Sequence, residues 1–162
     1  MGRSLRAGRV TALVATLLLV ATACSKSSTP ANPTYNVFAQ KFRFQGMPAT
    51  IPSGNFQINF SNKESFPITH EMIVKALPSG KTAQDIVDSA KVPGCKGGAE
   101  CEGQYLAFGE IAGVDTGSTL SNVFYLPAGN YFFACWETGT QSGAENGPPH
   151  ASKGMVFTFK VS

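Results

Sequence analysis

Four side chains of this sequence, two histidines, a cysteine and a methionine, could together bind one soft metal ion. Cys135, His150 and Met155 lie in the segment ACWETGTQSGAENGPPHASKGM, and His70 opens the apolar segment HEMIVKAL. Two imidazoles and a thiolate in one plane, with a weak axial thioether, are the ligand set of a trigonal copper site. Thiolate stabilises Cu(I) and imidazole accepts either oxidation state, so the residue types predict a copper site that exchanges single electrons.

The first 23 residues are typical of a signal peptide. Three arginines precede an apolar run from Val10 to Ala23, which is shorter than the roughly 20 apolar residues that span a bilayer. The run ends in Ala-Thr-Ala before Cys24, which looks like the lipobox of a bacterial lipoprotein, although Ala21 stands where such boxes more often carry leucine. We expect residues 1–23 to be removed and Cys24 to be lipidated; the alternative is ordinary cleavage that leaves a free cysteine.

The segment after this cysteine predicts a tether and one domain. Residues 24–34 are rich in Ser, Thr and Pro, a composition typical of a flexible, solvated linker. Residues 35–162 have the length of a single domain. We expect a monomer outside the cytoplasm, in the periplasm or at the cell surface, held to the membrane by its lipid anchor.

The leader carries the net charge of the chain. The formal charge of +3 comes from Arg3, Arg6 and Arg9, and without them ten basic and ten acidic side chains remain. No basic stripe is left in the sequence, so we do not expect nucleic acid as a partner.

Two further cysteines predict a small disulfide. Cys95 and Cys101, in CKGGAEC, are close enough to pair outside the cytoplasm, and a loop this short contributes only about 2 kcal/mol. A zinc site at this pair is the weaker alternative because no histidine lies near it in sequence. Cys135 is then unpaired; it could be a buried small hydrophobe, but an odd cysteine in an exported protein calls for an explanation.

The body of the chain is predicted to be mostly β. NFQINFSN and MVFTFKVS alternate apolar and polar residues, the pattern of a half-buried strand, and YFFACW is apolar on both faces, which indicates a strand covered on both sides. YNVFAQKFRF, HEMIVKAL and TLSNVFYL are rich in aromatic and β-branched residues, and KTAQDIVDSAK has helical spacing. Together they predict an all-β Greek-key sandwich with one short helix and a disulfide-pinned loop.

The sequence resembles the cupredoxins, the blue copper superfamily that includes plastocyanin and azurin. His70 stands at the head of a middle strand, Cys135 at the end of the penultimate strand, and His150 and Met155 in HASKGM have the spacing of the plastocyanin ligands. The resemblance covers nearly all of residues 35–162. It implies a cupredoxin-like sandwich with one type 1 copper ion bound by these four residues.

The sequence also departs from plastocyanin, which places its second histidine three residues after the cysteine. Here fourteen residues separate Cys135 from His150, yet closing the longer loop costs only about 1.4 kcal/mol. The longer loop makes Glu137 and Glu145 rival ligands. Glu71 stands where plastocyanin and azurin have an asparagine that ties the ligand loops together, so the surroundings of the ligands must differ.

Two functions of different classes fit this ligand set. As an electron carrier, Cys135 would be the main electronic conduit, His70 and His150 would complete the plane, and Met155 would set the potential, with redox proteins at the membrane as partners. As a tethered copper carrier or metal-handling module, the protein would use the same ligands but exchange its ion with partners. The rate of metal exchange distinguishes the two.

An enzyme is not expected. Two histidines cannot supply a second copper centre, and a binuclear site would need a second cysteine in the ligand loop. The sequence contains no Ser/His/Asp set and no phosphate-binding glycine loop, so we expect no small-molecule substrate. Zinc accepts the same ligand atoms as copper and is the alternative metal.

Overall fold

Two β-sheets packed face to face make up the protein in the computed structural model, which describes residues 32–95, 99–138 and 147–162. One sheet has the strand order β2-β1-β4-β7 and the other has the order β3-β9-β8-β5-β6. The strands are β1 Thr34–Ala39, β2 Phe44–Gln45, β3 Thr50–Ile51, β4 Gly54–Asn62, β5 His70–Ala76, β6 Ala107–Val114, β7 Thr119–Leu126, β8 Gly129–Ala134 and β9 Val156–Val161.

The strand pairing is mixed. Strand β1 runs parallel to β4, and β3 runs parallel to β9, whereas the other paired strands are antiparallel. This arrangement confirms the predicted all-β sandwich, and each segment that the sequence marked as a strand contains one. Strand β6 was not predicted, because its sequence AFGEIAGV contains two glycines and lacks a regular apolar alternation.

The main core lies between the sheets. In β4, Phe56, Ile58 and Phe60 are buried and alternate with partly exposed polar residues, as the period of two predicts. Strand β9 buries Phe159 and Val161 against the same core. The two patterns therefore fix which face of each strand turns inward.

A second apolar cluster covers the outer face of β8. Strand β8 and the two residues after it send Tyr131, Phe133 and Cys135 into the main core and Phe132, Ala134 and Trp136 into the second cluster. This confirms that YFFACW is covered on both sides.

Two helices and the disulfide complete this second layer. Helix α1, Ala83–Ser89, begins at Thr82, which forms a capping box with Asp85, and Ile86 packs into the cluster. Helix α2, Ala99–Glu102, is an addition that the sequence did not predict. The Cys95–Cys101 disulfide is present, with both residues buried in the same cluster.

The predicted leader lies outside the described residues, as do Cys24 and most of the tether, so the boundaries 1–23, 24–34 and 35–162 stay predictions. Within the described part of the chain, no helix is long and apolar enough to cross a membrane.

Candidate metal centre

Three of the four predicted ligands meet at one end of the second sheet. The Nδ1 atoms of His70 and His150 lie 3.6 and 3.5 Å from Cys135 Sγ and 3.2 Å from each other. All three residues are buried. Among the described His, Cys, Asp and Glu side chains, these three form the one group whose ligand atoms converge closely enough to hold a metal ion.

Strand β5 and the loop before it place His70. The register between β5 and β6 shifts between His70 and Met72, and such a bulge re-aims side chains next to a functional site. Buried Asn62 secures the preceding loop: its Nδ2 donates to the carbonyls of Ile68 and Val114, both at 2.8 Å, and its Oδ1 accepts from the N–H of Glu64.

Main-chain hydrogen bonds place the other two donors. A 3₁₀ helix, His150–Lys153, follows the ligand loop. The N–H of His150 donates to the carbonyl of Glu137 at 2.8 Å, and the N–H of Ala151 donates to the carbonyl of Cys135 at 2.7 Å. The cysteine and the second histidine are therefore held together by backbone on both sides of the loop.

The triangle of donor atoms has the size that one metal ion requires. With bonds of about 2.3 Å to sulfur and about 2.0 Å to nitrogen, an ion would place sulfur and nitrogen about 3.5 to 3.7 Å apart and the nitrogens about 3.3 to 3.5 Å apart, for angles between tetrahedral and planar. The observed 3.6, 3.5 and 3.2 Å agree with this. The residues fit a copper ion, and the triangle alone does not distinguish copper from zinc.

Met155 adjoins this triangle through the main chain. Its N–H donates to the carbonyl of His150 at 3.2 Å, and its carbonyl accepts from the N–H of Cys135 at 3.3 Å. Its side chain is fully buried in the main core. Its role as an axial ligand stays a prediction.

Of the two rival carboxylates, the one that the structure describes, Glu137, is not among the converging atoms. Glu137 instead contributes its backbone carbonyl, which accepts from the N–H of His150. Glu145 lies outside the described residues.

Several solved structures share this architecture. Dithionite-reduced auracyanin from Roseiflexus castenholzii has a TM-score of 0.54 and 16% identity, with 82% of this chain and 98% of that chain covered. Auracyanin A from Chloroflexus aurantiacus, a blue copper protein, has a TM-score of 0.53 and 18% identity over 80% and 98%. An azurin from Methylomonas sp. strain J has a TM-score of 0.52 and 17% identity over 82% and 99%. The chain has the cupredoxin fold.

This confirms the fold that the resemblance implied. No family model matches the sequence, and no curated protein matches it either. The similarity to the solved cupredoxins therefore lies in the three-dimensional structure, and what this chain does must be argued from its own residues.

Within this fold, Glu71 ties the two ligand segments together. The N–H of Trp136 donates to Glu71 Oε1 at 2.8 Å, and the N–H of Glu71 donates to Cys135 Sγ at 3.4 Å. The expected tie between the loops is thus present, but with a carboxyl group as the acceptor. Burial, with a smaller contribution from Glu137, raises the pKa of Glu71 to about 8, so the group is largely protonated at neutral pH.

Phe42 packs against the two histidine donors. Its ring contacts the imidazoles of His70 and His150 edge-on, with centroids 5.7 and 4.9 Å away. Its N–H donates to Glu64 Oε1 at 2.7 Å, and the same oxygen lies 3.6 Å from His70 Nε2. With Nδ1 turned toward the cysteine, the proton of His70 belongs on Nε2, facing this carboxylate.

The turn that carries Phe42 is conformationally unfavourable. Lys41 and Phe42 both adopt positive φ, 54° and 51°, between Gln40 and Arg43, whose N–H and carbonyl groups bond each other in both directions. A two-residue turn of this kind favours Asn-Gly, and the left-handed conformation costs about 1 kcal/mol or more per ordinary residue. Such strain is typical of functional sites.

Burial sets the protonation of the donors in the metal-free protein. It lowers the pKa of His70 to about 4 and of His150 to about 3, with Lys153 and, for His150, the neighbouring imidazole adding to the effect. It also raises the pKa of the Cys135 thiol well above its usual range, with Glu71 as the next cause. Both histidines are therefore neutral at pH 7, and a metal ion must displace only the thiol proton.

Sequence reasoning missed Phe42 and Glu64. Both reach the site through tertiary contacts, and Phe42 lies 28 and 108 positions from the two histidines that it covers. The one local signal was the aromatic-basic segment KFRF, which by itself indicates only a strand.

Proposed function

We propose that the protein binds one copper ion through His70, Cys135, His150 and Met155 and carries single electrons between redox proteins outside the cytoplasm. The observation that carries this proposal is the buried triangle of one sulfur and two nitrogen atoms, spaced for one ion and held by main-chain hydrogen bonds. When bound to such ligands, copper supplies a one-electron Cu(II)/Cu(I) couple.

The chain's own residues favour electron transfer over substrate chemistry. His70 and Cys135 have no exposed surface, and His150 is 2% exposed. Such burial leaves no open ligand position for a substrate of the kind that a catalytic metal site keeps. Main-chain hydrogen bonds also hold the donors at the spacing of one ion, so little rearrangement is needed when the charge of the site changes.

The same burial argues against the alternative, a carrier that delivers copper to partners, because delivery requires the ligands to become accessible. The test is to cycle the copper-loaded protein repeatedly between ascorbate and oxygen in the presence of a Cu(I)-specific chelator. We expect one copper per chain to remain through many cycles. Transfer of the copper to the chelator within the first cycles would favour the carrier function instead.

The proposed location rests on the leader and on Cys24. The buried Cys95–Cys101 disulfide supports an oxidising compartment outside the cytoplasm. In cells that express the full chain, Cys24→Ala should move the protein from the membrane fraction to the soluble extracytoplasmic fraction. A variant that stays in the membrane fraction would contradict the lipid anchor.

A further inference from the structure

We propose that four exposed cations around Phe42 form a docking surface for an acidic face of a partner redox protein. The cations are Lys41, Arg43, Lys63 and Lys153, and with Phe42 they are called the basic cap below. This inference rests on the proposed electron-transfer function, because it names the kind of partner that the same site would serve.

Direct contacts join the segments of the basic cap. Arg43 Nη1 donates to the carbonyl of Phe42 at 2.9 Å and to that of Lys153 at 2.7 Å. Lys153 Nζ lies 4.3 Å from the centroid of the Phe42 ring. Residues 110 positions apart are thus parts of one surface.

Lys63 extends this surface along the neighbouring strand end. Its N–H donates to the carbonyl of Ala39 at 2.9 Å, and its Nζ lies 3.8 Å from the centroid of the Phe38 ring. Phe38 and Ala39 belong to β1, which leads directly into the turn at Lys41. The sequence showed no basic stripe because these cations come from three separate segments.

The cations of the basic cap lack ion-pair partners. Within the described residues none of the four forms a salt bridge, whereas elsewhere Lys75 pairs with Glu102, Lys81 with Asp85, and Lys91 with Asp88. That list includes every described lysine except Lys160 and those of the cap. Clustered like charges repel one another, and an anionic partner would relieve this repulsion.

Two of the described carboxylates near the basic cap have local partners. Glu64, whose side chain is 14% exposed, accepts from the N–H of Phe42 and faces His70. Asp115 accepts from the hydroxyl of Thr69 at 2.8 Å. The four cations of the cap outnumber these two groups, and the cap itself contains no carboxylate.

The position of the cap identifies a protein as the occupant. Phe42 contacts both imidazoles, so a partner seated on the cap comes within one side chain of the donor atoms. That proximity matters for a partner that exchanges electrons and gives no benefit to a lipid headgroup or a nucleic acid. Complementary charge would orient such a partner and speed its association.

The test uses the metal-free full chain and poly-L-glutamate as the acidic probe, followed by amide NMR shifts at low salt. We expect the shifts to concentrate at residues 40–43, 63 and 153 and to vanish at high salt. The variant Lys41→Glu/Lys63→Glu should weaken binding at least about fivefold, since each surface charge pair is worth up to about 1 kcal/mol. Lys63→Glu alone, at a side chain whose Nζ lies over the Phe38 ring, should give an intermediate loss.

The matched control is a single lysine-to-glutamate substitution at the other end of β9. Lys160 is exposed and pairs in register with Thr50, so Lys160→Glu should leave polyglutamate binding within about twofold of the unchanged chain. Equal binding by all variants, or shifts spread over both sheets, would overturn the basic cap as a docking surface.

Parallel titrations with phosphatidylglycerol vesicles and with duplex DNA test the other anionic partners. Tighter binding to either than to polyglutamate, lost in Lys41→Glu/Lys63→Glu, would overturn the assignment to a protein. Because polyglutamate binding needs no copper, the docking surface and the proposed electron-transfer function can fail separately. Copper binding without cap-dependent docking removes this inference alone, and absence of copper binding removes the proposed function.

Discussion

The two sides of the donor triangle differ in charge, exposure and construction. On one side, the basic cap places exposed cations around Phe42, which is only partly buried. On the other side, Glu71 and Trp136 bond each other beside the cysteine, and Trp136 stacks on Tyr105 at 6.2 Å within the cluster beneath α1. One side is therefore open to a partner, and the other joins the site to the interior.

The two sides also differ in how they are stabilised. The Glu71 side holds the ligand segments with uncharged, partly buried hydrogen bonds, whereas the cap side has unfavourable backbone angles and cations without a described ion pair. Strain at a site persists only when the surrounding structure over-determines it. We infer that the interior side supplies the rigidity that allows the exposed side to be shaped for recognition.

Removing the hydrogen bond between Trp136 and Glu71 should have the largest effect on the free energy of unfolding. Glu71→Ala leaves the buried N–H of Trp136 without its acceptor, which costs about 1 to 3 kcal/mol. Glu71→Gln keeps a neutral acceptor on a side chain of the same length and is the matched control. It should lose much less stability. Urea unfolding of the metal-free protein at pH 6 measures both; equal losses in the two variants would show that the hydrogen bond is unimportant.

The two histidines and Glu71 should give opposite dependences of stability on pH in the metal-free protein. The pKa of each histidine is lowered by folding, to about 4 and about 3, so the unfolded chain binds more protons below pH 6.5 and stability rises with pH up to that point. The pKa of Glu71 is raised to about 8, so the folded chain keeps a proton that the unfolded chain loses, and stability falls from pH 4.5 to 8.

Because two histidines oppose one carboxyl group, stability should peak near pH 6.5 and then fall by up to about 1.4 kcal/mol per pH unit toward pH 8. Urea unfolding at a series of pH values measures this. Glu71→Gln should remove the alkaline fall and keep the acidic one. A wild-type profile that is flat between pH 6.5 and 8 would contradict the buried, protonated carboxyl group.

A substitution in the turn of the basic cap should instead stabilise the protein, by a smaller amount. Lys41→Gly relieves one left-handed residue of the turn and should stabilise the metal-free protein by about 1 kcal/mol. Gln40→Gly, at the preceding position, which lacks a positive φ, should not stabilise it. Thermal unfolding of the two variants distinguishes the outcomes, and a destabilised Lys41→Gly would show that the turn carries no such strain.

The sequence predicted the sandwich and the residues of the triangle because both depend on local information. The alternation in β4 and β9 determines their buried faces. His70 and Cys135 are recognisable by type and by position at strand ends, and His150 by its spacing from Met155. Strand β6 was missed because its glycines break the alternation. The basic cap was missed because its cations come from distant segments, and its turn lacks the Asn-Gly signature of such hairpins.

The most direct test of the copper site is a Cu(II) titration of the metal-free protein followed by visible absorption. The proposed ligands predict an intense thiolate-to-copper band that saturates at one copper per chain and bleaches with mild reductant. Cys135→Ser should abolish this band, and Cys24→Ser, which removes the other cysteine outside the Cys95–Cys101 disulfide, should retain it. A weak, broad band in the unchanged chain, or no stoichiometric uptake of copper, would contradict the account.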